Sequence, residues 1–325
     1  MIYPEFIKNK NTIGICAPSA GVGKKLDSFI ISKKVLRSKG YKVIETKSVR
    51  KNSERGGTYK QRSRELDELV TDKKVKMILA AAGGDYMLEM MSEVDFEHIK
   101  DNPKWYCGMS DPTNLLFTVT TNCDIATFYG RNASFSLDNN RLQNEFFKII
   151  SGNMIKQKSY NRYQTFLETI NDVAAFDHKV NWISKNNGHI NGRLIGGCVE
   201  VIAKLIGTKF DKTNEFIDRY KDDGIVWYFD IFNMSSYDFY LTLLQFKNAG
   251  WFRYCKGVLI GRVAFENITD KKLDYIKAAD KVFKDIPHIC EMDIGHTRPG
   301  MTLINGAIVD VDYKDGKGSI SFKLK

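Results

Sequence analysis

One segment sets the fold class. VKMILAAAGG (75–84) is apolar almost throughout and closes on paired glycines, which fits a strand covered on both faces. The elements around it alternate in type. TIGICAPS (12–19) is a short apolar run ending in turn residues, and an amphipathic stretch from Lys24 to Lys39 follows, stopped by Gly40. YKVIETKSV (41–49) predicts the next strand, YKQRSRELDELVTD (59–72) a polar helix and MLEMMSEVDFEHI (87–99) another helix. Then come the strand KWYCGMS (104–110), the helix TNLLFTVTTN (113–122) and the strand DIATFYG (124–130). Repeated units of this kind imply an α/β fold with a doubly wound, mostly parallel sheet and right-handed crossovers.

Residues 135–187 are rich in Asn, Lys and Ser with weak periodicity, and read as a linker holding one or two short helices. They separate an N-terminal domain, 1–134, from a C-terminal one, 188–325. The second domain opens on the glycine-studded strand and turn GHINGRLIGG (188–197) and the helix CVEVIAKLIGT (198–208). Strands GIVWYFDIF (224–232), KGVLIGRVA (256–264) and HICEMDIGH (288–296) alternate with helices SSYDFYLTLLQFKNAG (235–250) and LDYIKAADKVFKD (273–285). The tail, MTLINGAIVDVDY (301–313) with GKGSISFKLK (316–325), predicts an antiparallel hairpin around Lys314–Gly318. The second domain is therefore mixed α/β.

Composition excludes several classes. A chain of 325 residues has room for two domains, and 43% hydrophobic residues, 27% charged residues and 6 prolines argue against a disordered or repetitive chain. No apolar run approaches the ~20 residues of a membrane span, and the polar start before TIGICAP does not resemble a secretory signal, so a cytoplasmic protein is expected. Cys16, Cys107, Cys123, Cys198, Cys255 and Cys290 are scattered without a CxxC pair, as buried thiols of a reducing compartment would be. The histidines, His98, His178, His189, His288 and His296, lack ligand spacing, so neither a metal nor a cofactor is expected. The net charge of +10 invites a nucleic-acid reading, but the lysines are spread along polar faces with no dense basic run, so no nucleic-acid partner is expected.

Two features of the N-terminal half fall at strand carboxyl ends, where open parallel sheets bind ligands. One is GGDY, with Gly83 and Gly84; the other is CGMSDPTN, with Ser110 between a strand and a helix. A serine on such a turn can be a nucleophile, with the Asp111 N–H and the Gly84 N–H as oxyanion donors. Gly108 precedes it by two residues; Pro112 replaces the second glycine of the nucleophile-turn pattern but suits the first turn of the next helix. Taken singly, the same residues also suit plain turn and cap duties. A serine needs a base and an orienter. His178 lies in the linker, His98 on a polar helix end and His288 beside Pro287, whereas His296 follows a strand in the loop GHTRPGM. Asp230, ending IVWYF, is the foremost acid, with Glu200 and Asp293 behind it.

Read together, IGICAPSAG, AAAGGDYMLEMM, NPKWYCGMSDPTNLLF, ATFYG, GRLIGGCVEVI, WYFDIFNMSSYDFYLTLLQFKNAGWF, VLIGR and DIGHTRPGMTLINGA resemble the serine LD-carboxypeptidase family, which also contains the microcin C self-immunity hydrolases. The likeness runs in order along nearly the whole chain and misses only the linker. It implies a two-domain α/β enzyme, usually a homodimer, with a Ser, Glu, His triad shared between domains. The family's G-x-S-D block falls on Ser110 and its D-x-x-H block on His296. Counting back from Ala249-Gly250 puts Asp230 where glutamate is usual, one methylene shorter, so the backbone or His296 must come toward it.

The resemblance also implies a reaction. Ser110 attacks the carbonyl before a terminal amino acid, His296 carries the proton, Asp230 holds the imidazole, and Gly84 and Asp111 bind the oxyanion. The implied substrate is a cytoplasmic peptidoglycan tetrapeptide, cut between an L-centre diamino acid and D-alanine. Its carboxylate calls for arginine: Arg298 is favoured, with Arg262 and Arg131 as rivals. The immunity-type alternative hydrolyses peptidyl- or aminoacyl-nucleotides and needs an aromatic wall, for which Trp227, Tyr228 and Trp251 are candidates. A third reading, prompted by the Asp230 substitution, is a catalytically impaired peptide-binding homologue.

Overall fold

The structure is a computed structural model and describes residues 1–138, 140–153, 155–171 and 175–325. The chain divides into two units, residues 1–154 with Thr302–Gly306, and residues 155–301 with 307–325. Within the stretch expected to be linker, the helix Arg141–Ile150 falls in the first unit, burying Phe146, Phe147, Ile149 and Ile150, while Gln157–Lys158 pairs into the sheet of the second.

In the first unit, β1 (Thr12–Cys16), β2 (Lys42–Glu45), β3 (Val75–Ala80), β4 (Trp105–Gly108) and β5 (Thr127–Tyr129) run parallel in the order β5-β4-β3-β1-β2. Leu303–Asn305 adds an antiparallel edge beside β5. The order reverses between β1 and β3, so the loops leaving β1, β3 and β4 line the crevice where such sheets take ligands. Every residue of β1 and β4 is buried, as two-sided covering requires. The helix Tyr59–Thr71 starts where the Thr58 side chain accepts the Gln61 N–H at 3.2 Å. Its Leu69 packs on Gly14 of β1, where a Cβ would lie 2.9 Å from the leucine methyl. The single helix expected over 87–99 is broken. Met87–Glu93 forms a 3₁₀ stretch, and Asp95, accepting the Glu97 and His98 N–H groups at 3.0 Å, caps a separate helix, Phe96–Asp101.

The second unit holds β6 (Gly188–Cys198), β7 (Ile225–Asp230), β8 (Cys255–Gly261), β9 (His288–Met292), β10 (Ile308–Lys314) and β11 (Lys317–Lys323), in the order β9-β8-β7-β6-β10-β11, with Gln157–Lys158 at the edge. β6 to β9 are parallel; the remaining pairings are antiparallel. The tail hairpin turns at Asp315 and Gly316, φ 49° and 79°, the two positive φ values that a two-residue turn of this hand needs. Only its Ile308–Lys323 part belongs here, because Leu303–Asn305 pairs in the first unit's sheet. Trp227 and Trp251 are fully buried and stacked 5.5 Å apart, with Phe246 4.6 Å from Trp251. Tyr228 is equally buried, so the three aromatics considered for a base-stacking wall are core. Among the described residues no helix is long and apolar enough to cross a membrane.

Candidate active site

The first unit presents Ser110 on the turn between β4 and the helix Thr113–Cys123. Its φ is 70°, a left-handed conformation that costs a non-glycine residue about 1–2 kcal/mol. The surroundings hold it there. The Asn132 side chain brackets Met109, its Oδ1 accepting the Met109 N–H at 3.1 Å and its Nδ2 donating to the Met109 carbonyl at 3.3 Å. The Thr113 N–H donates to the Ser110 carbonyl at 2.8 Å, and the Ser110 N–H points to the Tyr129 hydroxyl at 3.4 Å. Pro112 stands at the helix start with φ −52°, as its ring demands.

Of the paired glycines, Gly83 faces the serine: a Cβ there would lie 3.1 Å from Ser110 Cβ and 3.2 Å from its Oγ. Gly84, φ 142°, instead faces Ser19, where a Cβ would come within 2.4 Å of the hydroxyl. The Asp111 side chain ties these loops together. Its Oδ2 accepts the Ser19 hydroxyl and, at 2.8 Å, the Met87 N–H, and its Oδ1 accepts Asn114 Nδ2 at 2.9 Å. Buried Arg62 adds bonds to the carbonyls of Pro18 (2.7 Å) and Tyr86 (2.9 Å). The loops after β1, β3 and β4 are thus cross-linked around Ser110.

The second unit pairs His296 with Asp230. Both are buried, and Nδ1 of His296 lies 2.8 Å from Asp230 Oδ2 and 3.1 Å from Oδ1, with the His296 N–H 3.3 Å from Oδ1. A carboxylate only accepts, so Nδ1 carries the hydrogen and Nε2 is the nitrogen left for proton transfer. Burial alone would depress the imidazole pKa, but the Asp230 charge, its hydrogen bond and the Glu200 charge outweigh it and hold the pKa above its ordinary value. The loop makes its close approach to Asp230 at Gly295. With φ 92°, its Cα comes so near that a Cβ would sit 1.9 Å from Asp230 Oδ1.

The other acids lie elsewhere. Glu200 Oε1 accepts the N–H groups of Phe232, Asn233 and Met234 at 2.8, 2.8 and 3.0 Å. Asp293 pairs with Arg262 at 2.6 Å, both fully buried, and also accepts from Trp182 Nε1 and the Tyr160 N–H. Arg262 further donates to Thr297 Oγ1 and the Glu291 carbonyl and lies over the Tyr163 ring. It braces the His296 loop and is spent there, which removes it as a candidate for an incoming carboxylate. Arg131 donates to the Ser134 carbonyl and lies over the Phe135 ring. Arg298 is exposed, and its backbone pairs with Gln164.

Three half-buried phenylalanines, which the sequence reading did not single out, enclose His296. Phe232 lies 4.6 Å and Phe166 5.7 Å from the imidazole, and Phe265 packs edge-on against both, at 5.2 Å each. Ser19 and Asn132 were missed too, although Ser19 follows β1 at a strand end as Ser110 follows β4. All six cysteines are free, and burial pushes the thiols of Cys16, Cys107, Cys123 and Cys255 up to about 12, which disarms them as nucleophiles. Among the described residues one group, His189, Asp310 and Asp312, brings possible metal-ligand atoms within 4.8 Å; Asp312 is already paired with Lys156 at 2.7 Å.

Comparison with known proteins places these observations. The LD-carboxypeptidase N-terminal domain of peptidase family S66 matches residues 13–130, and the corresponding C-terminal domain matches residues 191–311. The chain is 25% identical to the microcin C7 self-immunity protein MccF of Escherichia coli, over 96% of this chain and 93% of that one. It is 24% identical to a "Probable murein peptide carboxypeptidase" of Bacillus subtilis, over 94% and 89%. Among solved structures, MccF in complex with aspartyl sulfamoyl adenosine aligns over the whole of both chains with a TM-score of 0.84 at 22% identity. A muramoyltetrapeptide carboxypeptidase from Oxalobacter formigenes aligns over 96% of this chain and 98% of that one, with a TM-score of 0.75 at 21% identity.

Proposed function

Because the chain belongs to the S66 LD-carboxypeptidase family, we propose that it is a cytoplasmic, metal-independent serine carboxypeptidase that removes D-alanine from the L-diamino acid end of peptidoglycan tetrapeptides, acting as a homodimer. The observation that carries this reading is the strained Ser110 turn at the end of a parallel strand, held by Asn132 and the Asp111 network. Nucleophilic serines of α/β hydrolases sit on turns of this kind.

In the proposed mechanism Ser110 Oγ attacks the carbonyl carbon before D-alanine while its proton passes to His296 Nε2. The N–H groups of Gly84 and Asp111 stabilise the oxyanion. As the C–N bond breaks, His296 gives that proton to the leaving amine. Water then attacks the acyl ester through the same base, and the shortened peptide leaves as Ser110 recovers its proton. Asp230 keeps the ring oriented and stabilises the imidazolium. Arg298 receives the terminal carboxylate; its exposure and its place two residues after His296 support that role, and the pairing of Arg262 with Asp293 removes one rival.

A second reading, hydrolysis of peptidyl- or aminoacyl-nucleotides, draws support from the half-buried Phe166 and Phe232 beside His296, which offer the aromatic surface that buried Trp227 and Trp251 cannot. The test compares a tetrapeptide ending in D-alanine with an aminoacyl sulfamoyl adenosine. The first reading expects kcat/KM to favour the peptide by about tenfold or more, roughly 1.4 kcal/mol of transition-state binding. The opposite preference selects the second, and turnover of neither selects the impaired homologue.

A further inference from the structure

We infer that Glu200 is a positioning residue for His296: its carboxylate fixes the 232–234 turn, and that turn holds Phe232 against the imidazole. Its effect on turnover rests on the serine-hydrolase reading; its effect on the imidazole does not.

Strand register brings Glu200 to this turn. Asp230 ends β7 and lies opposite Cys198, the last residue of β6, so Glu200 enters two residues later, in the first turn of the helix Val199–Ala203. From there one oxygen takes three consecutive backbone N–H groups, beginning two residues past Asp230. Hydrogen bonds to an ionised acceptor are about twice as strong as neutral ones. The second oxygen accepts from the Cys198 thiol at 3.2 Å, and burial keeps that thiol protonated as a donor. The turn is gripped from its other side as well, where the Tyr275 hydroxyl donates to the Met234 carbonyl at 2.7 Å.

What the turn carries is Phe232. Its ring lies 4.6 Å from His296, and its carbonyl accepts the Phe265 N–H at 2.8 Å, so fixing this turn also fixes a second wall of the aromatic enclosure. Asp230 therefore orients the ring by its Nδ1, and Glu200 confines it by its face. The charges in and around this loop are Asp230, Glu200, Arg298 and the Arg262–Asp293 pair. Only Asp230 and Glu200 raise the His296 pKa.

The experiment uses Glu200→Ala and Glu200→Gln, with Phe232→Ala as a parallel variant, and reads kcat, KM and the His296 imidazole titration by NMR. Proton transfer belongs to the transition state, so Glu200→Ala should lower kcat by about tenfold or more with KM changed less than about threefold. Loss of its charge should lower the His296 pKa in both Glu200 variants. Glu200→Gln keeps an acceptor oxygen and should restore kcat to within about threefold. Phe232→Ala should reproduce the kcat loss without lowering the pKa, because uncovering the imidazole relieves its burial. An unchanged kcat and imidazole titration in Glu200→Ala would overturn the inference, however far its melting temperature falls. If Glu200→Ala does not fold, an unshifted His296 in Glu200→Gln together with unaltered kcat in Phe232→Ala would do the same. Ser110→Ala is run alongside: retained activity there sinks the serine reading, while the titration, which needs no substrate, still judges Glu200.

Discussion

Gly295→Ala probes how closely the His296 loop is fitted to Asp230. Two costs act at this position. The backbone sits at φ 92°, where a side chain costs about 1–3 kcal/mol. The new Cβ would also lie 1.9 Å from Asp230 Oδ1 and 2.2 Å from Cγ, so more than an ångström must be opened. Asp230 is wholly buried and cannot swing into water, so opening that gap means parting it from His296. Parting a buried carboxylate from its hydrogen-bond donor costs about 3–5 kcal/mol. The two costs overlap because one movement relieves both, and the expected loss for the second unit is about 3–5 kcal/mol. Gly207→Ala is the control, since its φ is 75° but nothing lies within 4 Å of the added carbon. It should cost only the backbone strain, about 1–2 kcal/mol. Urea unfolding followed by tryptophan emission suits the comparison, because Trp182, Trp227 and Trp251 lie in the same unit as Gly295. A Gly295→Ala variant no less stable than Gly207→Ala, with activity retained, would refute the fitted contact.

Four further outcomes follow from the same geometry. Asp230→Asn should lower kcat by roughly 10⁴-fold with the fold intact, because the amide favours the wrong imidazole tautomer; a variant as active as the parent removes Asp230 from the mechanism. The acidic limb of the kcat/KM profile should have its midpoint above the ordinary histidine value, since the base must be neutral and its pKa is raised, and Asp230→Asn should move that midpoint down. The raised pKa also stabilises the fold in acid, fully below the unfolded histidine value, and this contribution should fade as pH rises through the folded one, as pH-dependent denaturation can measure. Arg262→Ala leaves Asp293 charged and buried, so it should cost about 3–5 kcal/mol of stability; a higher KM at unchanged melting temperature would instead make Arg262 a substrate ligand.

Strand ends were the legible part of this molecule. A polar residue at the end of an apolar run marks a sheet's carboxyl edge, and that pattern points to Ser110 and Asp230, whereas His296 stands out as the histidine in a loop that follows a strand. Which neighbour faces which was not legible. A carbon added to Gly83 would meet Ser110 and one added to Gly84 would meet Ser19, and that difference depends on how the β1 loop folds over β3. Glu200 looked like an alternative orienter because its own three N–H partners lie more than thirty residues away. Trp227 and Trp251 looked available for stacking because one-dimensional patterning does not tell an aromatic buried on every side from one lining a cleft. Leu303–Asn305 read as part of the tail hairpin, since three residues are too few to show which sheet will take them.

A fluorophosphonate probe shows whether Ser110 is the nucleophile and His296 its base. The serine oxygen displaces fluoride from phosphorus, leaving a stable adduct that intact mass and peptide mapping locate. One adduct per chain is expected, on Ser110, absent in Ser110→Ala and formed at least about tenfold more slowly in His296→Ala. An enzyme that hydrolyses its substrate yet forms no adduct, or carries it on another residue, would rule out Ser110 as the nucleophile.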